Sequence, residues 1–518
     1  MMGAGKSVLG RVVAERAGVP FVDLDVEHER RAGMTVREIF AKHGEPAFRT
    51  MEREALAREL DDPTPRVIAL GGGSLLDRSL RLRALERGVV LTLTAKPAEL
   101  ARRVAGNGSR PMLGDAPSEA RIVELLEARA AAYAETHAVL DTTNQRPEDI
   151  AAEALRIADL APIAVPLGDR TYAVHVAPGA AREELDRAID RLAPSSVVLV
   201  TDDVVETQVL PRLAPALDRH NALRVVLPTG ERHKTLASVE KILRVAVEAP
   251  VDRRAIVVGI GGGVVTDIAG LAAALALRGL SWVAVPTTVL AMVDASVGGK
   301  TAVDLGAAKN AVGAFHQPAR VVVDPSLSQT ETLRAYRSGL AEVVKTTLIG
   351  DPALFDELCA PGGAERLGVA RDPEALARAV RSSVAVKAGV VGRDEREKGE
   401  RAHLNLGHTI GHALEAAGGF ERLTHGEAVS LGLVAALRIG VSLGLTSRDL
   451  AASVVDVLAR VGLPVNLDEQ PLEDALRFSA YDKKRDKDTL RFVLAKAPGS
   501  LEIVPISPAR VPELLGMR

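Results

Sequence analysis

AIVVGIGGGVVTDIAG, residues 255–270, reads as an apolar strand, a glycine triplet and the start of a helix. Small residues at such a turn let a phosphate approach backbone amides at a helix N-terminus. The same triplet also suits a tight turn that packs a helix on a sheet. Apolar runs of strand length recur around it, at 197–200, 223–227, 282–285 and 321–323. Alternation of such runs with helical patterns predicts a parallel sheet with crossover helices. From residue 325 onward the pattern is mostly helical. Toward the N-terminus the alternation returns, with 67–70 before another glycine triplet and 89–93 before a helix starting near Pro97. The segment 161–168, APIAVPLG, carries two prolines and restarts a strand-like pattern. The expected organisation is therefore a parallel-sheet domain over 1–160, an α/β domain over 163–324 and a helical domain over 325–518.

Composition narrows the function. The chain has 518 residues, 47% hydrophobic and 26% charged, as soluble globular domains have. Aromatics are only 3%, so the cores must be built from Ala, Val and Leu. Lys+Arg 65 nearly balances Asp+Glu 68, and no global basic field points to nucleic acid. Cys359 is the only cysteine, which excludes an intrachain disulfide and cysteine-ligated zinc and points to a reducing cytoplasm. No signal-peptide pattern opens the chain, and the longest apolar stretch, 268–277, is too short to span a bilayer.

The chemistry concentrates in LNLGHTIGHALE, residues 404–415. His408 and His412 stand four apart, on one face of a helix. His425 follows in LTHGEAV, and Glu342 lies upstream in SGLAEVVK. Imidazoles plus one carboxylate suit a catalytic divalent metal with an open coordination position; on spacing alone either histidine of the pair, or both, could be a ligand. Residues 286–318, PTTVLAMVDASVGGKTAVDLGAAKNAVGAFHQP, are dense in Lys, Asp, Thr and Gly without a helical period and are expected to be a site-bearing loop.

At the N-terminus Gly3-Ala4-Gly5-Lys6-Ser7 matches the end of a P-loop, whose amides surround phosphates while its lysine reaches the terminal phosphates and its serine binds magnesium. FVDLD (21–25), GMTVREIFAKHGEPAFRTMEREAL (33–56), ALGGGSLL (69–76) and SRPMLG (109–114) follow. Together these segments resemble shikimate kinase. The resemblance implies a nucleoside-monophosphate-kinase-like fold that moves the ATP γ-phosphoryl group to the 3-hydroxyl of shikimate. It implies Gly3, Gly5, Lys6 and Ser7 at ATP and magnesium, with Asp23 in the magnesium environment. It implies Asp25, Arg49, Gly71, Gly72, Gly73 and Arg129 at shikimate, Arg110 on a lid at the phosphates, and Arg146 near the adenine. Arg49 and Arg129 can each grip a carboxylate bidentately, and Asp25 can orient or deprotonate a hydroxyl. The first glycine of the P-loop pattern would fall one position before Met1, and the central strand that delivers the loop is missing. The translation start is therefore expected upstream; a chain that truly begins at Met1 would carry a feeble kinase and act as a synthase only.

GIGGGVVTDIAG, the 286–318 segment, SGLAEVVK and the histidine stretch together resemble 3-dehydroquinate synthase over residues 163–494. The resemblance implies an NAD-binding domain and a helical metal domain acting on 3-deoxy-D-arabino-heptulosonate 7-phosphate. It divides the histidines: Glu342, His408 and His425 would bind zinc or cobalt, while His412 stays off the metal near the phosphate. Arg278, Lys300, Lys309, Asn310, Lys345, Lys387, Arg401 and Asn405 would surround the substrate anions, and Asp294 its hydroxyls. Lys483 or Lys484 would close over the site. Asp202, Glu231, Lys234, Gly261, Gly262, Gly263, Asp267, Thr287 and Thr288 would contact NAD. Two positions depart from the family pattern: Thr266 stands where glycine is frequent, a concern if the backbone there needs positive φ, and Asp203-Val204 replaces a pair that often ends in Asn. The expected protein is a bifunctional cytoplasmic enzyme of aromatic biosynthesis, using NAD, a divalent metal, and ATP with magnesium. A homodimer through the synthase half is the expected assembly, with no nucleic-acid or membrane partner. A related sugar-phosphate cyclase or a zinc-dependent polyol dehydrogenase are the alternatives.

Overall fold

The computed structural model describes residues 1, 3–105, 118–249, 251–306, 308–479 and 489–517. The chain divides into two units, Met1–Ala173 and Val174–Arg518.

In the first unit the helix Lys6–Ala17 starts from Gly5 at φ 86°, a left-handed value that glycine adopts without a Cβ penalty. Four strands form two separate parallel pairs, Phe21–Asp23 with Val67–Ala69 and Leu91–Thr94 with Ala138–Asp141. Each pair has its own apolar cluster, around Leu93, Leu100, Ile122 and Ile157 in one case and Leu24, Ala55, Leu56 and Leu80 in the other. The long helix Val36–Asp61 opens with a capping box between Thr35 and Glu38. It breaks at Gly44, just ahead of Pro46, whose ring cannot continue the hydrogen-bond ladder. The break redirects the turns that carry Arg49 and Glu52.

The second unit contains a sheet ordered Arg320–Val323, Ser281–Pro286, Ile256–Gly261, Val197–Asp202, Leu223–Leu227, all paired parallel. Ile256–Gly261 is buried along its whole length, as a strand covered on both faces must be. In chain order these five strands run 2-1-3-4-5, a doubly wound arrangement. The order reverses between Val197–Asp202 and Ile256–Gly261, and ligands of such sheets bind outside the carboxyl ends at that switch point. Asp202 and the 261–263 triplet both lie there.

Two expectations are corrected. Residues 286–318 are not one loop: a π-helical turn, Ala291–Ala295, is followed by an antiparallel hairpin of Lys300–Leu305 and Ala308–Phe315. Burial of Thr301 and Val303 between more exposed neighbours gives the period of two, which the charged residues mask in the sequence. The region after 325 is helical through Leu333–Gly350, Pro373–Arg393, His408–Ala417 and His425–Ser442, but it ends in a second hairpin, Leu490–Ala497 with Ser500–Ile506. Among the described residues no helix is long and apolar enough to cross a membrane.

Candidate active sites

In the first unit the glycine turn after Val67–Ala69 gathers the expected carboxylate-binding groups. A Cβ on Gly71 would lie 3.0 Å from Asp25 Oδ1, and one on Gly73 would collide with the Arg49 guanidinium. Arg129 Nη1 donates to Gly72 O at 3.0 Å, and the Tyr133 hydroxyl donates to the same oxygen at 2.7 Å. Glycines are thus required here for close approach. Burial pushes the Asp25 carboxyl up, with Lys6 pulling it back and Asp23 and Glu52 adding to the rise. A carboxyl so shifted suits a group that holds or accepts a hydroxyl proton. Asp23 caps its helix by accepting from Asp25 N at 3.1 Å. Lys6 Nζ donates to Met1 O at 2.9 Å. Arg146 is exposed and paired with Asp149 at 2.8 Å.

In the second unit three helices meet backbone to backbone. A Cβ on Gly411 would lie 2.9 Å from Ala428 O, one on Gly432 would collide with Gly407 O, and one on Gly426 with Ser338 O. These contacts bring the ligand-bearing helices Leu333–Gly350, His408–Ala417 and His425–Ser442 together. His408 opens its helix after Gly407, and His425 opens its own after the Thr424 cap. Glu342, His408 and His425 each present a ligand atom within 4.8 Å of the others. Glu342 Oε1 lies 3.6 Å from His408 Nε2 and 3.5 Å from His425 Nε2. That oxygen is buried and has no hydrogen-bond partner. Donor separations of this size fit a tetrahedral ion with bonds of ~2.0–2.1 Å, whose ligand atoms stand about 3.4 Å apart. Both imidazoles place Nδ1 against an acceptor, His408 on Leu406 O at 3.2 Å and His425 on Glu415 Oε2 at 3.3 Å, and so turn Nε2 inward. His412 is exposed, its ring centroid 5.0 Å from His408 and 6.0 Å from His425.

Charge around the trio is arranged in layers. Burial alone would raise the Glu342 carboxyl, but Lys345, one turn on, and His425 hold it at about 2. Burial and then Lys345 depress His408 well below its ordinary value. Burial opposes protonation of His425 too, yet Glu342 and Glu415 lift it to about 10. Lys345 Nζ also donates to Leu404 O at 2.8 Å. Beside it, buried Lys387 donates to Asp294 O at 2.6 Å and pairs with the Asp294 carboxylate. Arg401 donates to Gly298 O at 3.2 Å, an approach that Gly298, at φ 100°, leaves room for. Glu397 joins Asn405 Nδ2, at 2.8 Å, to Lys300.

At the switch point Asp202 caps the next helix by accepting from Val204 N and Val205 N. The triplet leads into the helix Gly263–Leu275, and a Cβ on Gly262 would lie 3.2 Å from Thr288 Cγ2. Thr287 N donates to Gly261 O at 2.9 Å. Lys234 Nζ pairs with Asp267 Oδ2 at 2.6 Å and donates to Asn310 Oδ1 at 2.6 Å. Burial raises Asp267 to about 6 despite Lys234. Thr266 is accommodated: it lies inside the helix, and its hydroxyl donates to Gly263 O at 3.1 Å, so no positive φ is demanded there.

Sequence comparison agrees with this geometry. Family models of the 3-dehydroquinate synthase N-terminal and C-terminal regions match residues 224–338 and 339–485. The 3-dehydroquinate synthase of Paracoccus denitrificans (strain Pd 1222) is 40% identical over 343 residues, which cover 65% of this chain and 92% of that protein. The 3-dehydroquinate synthase of Halorhodospira halophila (strain DSM 244 / SL1) is 44% identical over 65% of this chain and 93% of its own length. The chain belongs to the 3-dehydroquinate synthase family. A shikimate kinase family model matches residues 2–159, so the synthase is joined to a kinase in one chain. Among solved structures, 2-deoxy-scyllo-inosose synthase with carbaglucose-6-phosphate, NAD+ and Co2+ matches at TM-score 0.61 and 25% identity, over 68% of this chain and 99% of that one. A 2-epi-5-epi-valiolone synthase from Streptomyces hygroscopicus with NAD+ and Zn2+ matches at TM-score 0.60 and 29% identity, over 66% and 95%.

Within the synthase unit the structure regroups some expected residues. Asn310, expected at the substrate, accepts from Lys234, a residue expected at the nucleotide, at 2.6 Å. Lys309 pairs with Glu415 at 3.5 Å. Arg278 lies exposed in a left-handed stretch after the helix Gly263–Leu275, with no hydrogen bond or ion pair among the described residues. Glu231 opens a 3-10 turn beside Lys234. Arg110, Lys483 and Lys484 lie outside the described residues. Sequence reasoning missed Glu397, Glu415 and, in the kinase unit, Glu52. Glu52 is buried, pairs with Arg49 at 2.5 Å and accepts from Ser74 Oγ at 2.7 Å. The available signal was spacing: Glu415 lies seven residues after His408, two helical turns on the same face, and Glu52 three after Arg49.

Proposed function

We propose that the synthase unit converts 3-deoxy-D-arabino-heptulosonate 7-phosphate to 3-dehydroquinate and phosphate, and that the kinase unit phosphorylates the 3-hydroxyl of shikimate with MgATP. The observation that carries the synthase reading is the unpartnered Glu342 Oε1 facing His408 Nε2 and His425 Nε2. Zinc or cobalt fits these donors, as NAD fits the 261–263 turn; bound there, the metal would supply polarisation of substrate hydroxyls and the nicotinamide reversible hydride storage, with no net redox change.

The residues of the chain do the rest. Lys345, Lys387, Arg401 and Lys300 supply the cations that a phosphate and a carboxylate need in one cleft. The Lys387–Asp294 pair presents a carboxylate for a ring hydroxyl, kept ionised by Lys387 against the pull of burial. His412, on the open side of the histidine group, holds the phosphate as that phosphate takes the C6 proton and leaves. In the kinase unit Arg49 and Arg129 clamp the shikimate carboxylate and Asp25 receives the attacking hydroxyl's proton. Ser7 and Asp23 would hold magnesium, and Lys6 the terminal phosphates. A single cysteine and phosphorylated substrates support a cytoplasmic location.

Phosphate release tests the first activity. Purified protein with NAD and zinc should release phosphate from the heptulosonate and not from sedoheptulose 7-phosphate. The opposite preference would indicate a different sugar-phosphate cyclase. ATP-dependent phosphorylation of shikimate that Lys6→Ala abolishes tests the second. A second reading, synthase activity alone, draws support from the divided sheet of the first unit; absence of shikimate-dependent ADP formation would establish it.

A further inference from the structure

His425 has neighbours on both ring nitrogens. Nε2 faces Glu342 Oε1 at 3.5 Å, and Nδ1 faces Glu415 Oε2 at 3.3 Å. Glu415 is 4% exposed and projects from the helix that begins at His408. Its other oxygen lies 3.5 Å from Lys309 Nζ, and that ammonium stands 4.6 Å from the centroid of the Phe420 ring. His412, Glu415 and His425 also bring ligand atoms within 4.8 Å of one another. A second cation among them is disfavoured on two grounds. It would share His425 with the first site, which requires an imidazolate. It would also sit beside the Lys309 ammonium. A carboxylate accepting Nδ1–H has neither difficulty.

Resting on the metal reading above, we propose that Glu415 is a positioning residue for the ligand His425. It accepts the Nδ1 proton, fixes the tautomer that leaves the Nε2 lone pair for the cation, and makes the imidazole a stronger donor. Lys309, on the hairpin strand Ala308–Phe315 and set over the Phe420 ring, holds the carboxylate from its other side. His408 has a neutral carbonyl in the corresponding place. The two imidazoles are therefore unequal ligands, and the charge of Glu415 makes the difference.

The test uses the full chain stripped of metal with a chelator. Zinc affinity is then measured by competition with a fluorescent chelator, and the visible spectrum is recorded with cobalt. Glu415→Ala should weaken zinc binding by about 10- to 100-fold, in line with lost outer partners of metal-ligating histidines. Glu415→Gln keeps an acceptor without the charge and should fall between, with a shifted cobalt band. NAD affinity should stay at the parent's value, while the metal-free melting temperature should fall by less than would account for the loss of zinc binding, because Glu415 also pairs with His425 and Lys309 there. Unchanged zinc affinity in Glu415→Gln and Glu415→Ala overturns the inference. So does a drop in metal-free melting temperature that accounts for the whole effect. If Glu415→Ala does not fold, the near-isosteric Glu415→Gln decides alone. Glu342→Ala separates the two levels. A parent that binds one zinc and loses it in that variant, beside a normal Glu415→Gln, removes only this inference. A parent that binds none removes the metal reading as well.

Discussion

Gly411→Ala separates folding from function in one substitution. Gly411 lies between His408 and His412 and faces the helix of His425. A Cβ there would stand 2.9 Å from Ala428 O and 3.2 Å from Ala428 C. Carbon and carbonyl oxygen pack comfortably at about 3.3 Å or more. The two helices must therefore part by roughly 0.4 Å along that line, because the obstacle is backbone and cannot rotate away. Metal–ligand distances tolerate only about ±0.2 Å. Stability moves little, since alanine in place of glycine gains about 1 kcal/mol inside a helix while overpacking costs about 1–3 kcal/mol. The expected result is a fall in zinc affinity of at least about tenfold with a melting temperature of the metal-free protein within a few degrees of the parent. Competition with a fluorescent chelator measures the first and a thermal melt the second. Parent-like zinc affinity in a folded Gly411→Ala protein would refute the view that helix contact at this glycine sets the donor spacing.

Three other outcomes follow from buried charge and close contacts. Burial lifts the Glu331 carboxyl from 4.5 to about 7, although Val289 N donates to it at 2.7 Å. A raised carboxyl means the folded state holds its proton more tightly, so stability declines as pH rises from about 4.5 to about 7. The difference, 7 − 4.5 = 2.5 at 1.36 kcal/mol each, gives an upper bound of about 3.4 kcal/mol. Glu331→Gln should therefore melt higher than the parent at pH 8 and alike at pH 4.5; equal melting at both pH values would discount the shift. Lys387→Met leaves the partly exposed Asp294 carboxylate without its ion-pair partner, with Lys345 the remaining cation acting on it, and should cost about 1–3 kcal/mol in denaturant unfolding, part of which Asp294→Asn restores in the double variant; additive losses would mean the pair is uncoupled. Gly73→Ala displaces the Arg49 guanidinium, whose flexible chain can yield without unfolding the unit. The KM for shikimate should rise about 10-fold or more, equivalent to one charge-assisted hydrogen bond, with the KM for ATP unchanged; a shift in both would point to a general distortion.

Much of this protein was legible as pattern. The apolar run at 197–200 became Val197–Asp202, because a strand buried on both faces writes itself as consecutive apolar residues, and the run at 223–227 became the half-exposed edge strand Leu223–Leu227. The expected helix at Pro97 formed as Pro97–Val104. The 286–318 hairpin escaped because its alternation is carried by Thr, Ala and Val between charges, and hairpin pairing is a relation between two segments.

The amino-acid order alone indicated the succession of a parallel-sheet unit, an α/β unit and a mostly helical region, since periodicity is a local property of a chain; it offered Glu342, His408, His412 and His425 as candidate ligands, and the family resemblance of its short motifs selected Glu342, His408 and His425 among them. Only the tertiary structure decided that Glu415 backs His425, that Glu397 joins Lys300 to Asn405, and that Asn310 sides with Lys234. Those partners stand 8 to 97 residues apart in the chain. Local sequence pattern sets which way a side chain leaves its own helix or strand; which charge it meets depends on how separate elements pack, and that is settled by glycine contacts and burial that no short stretch contains.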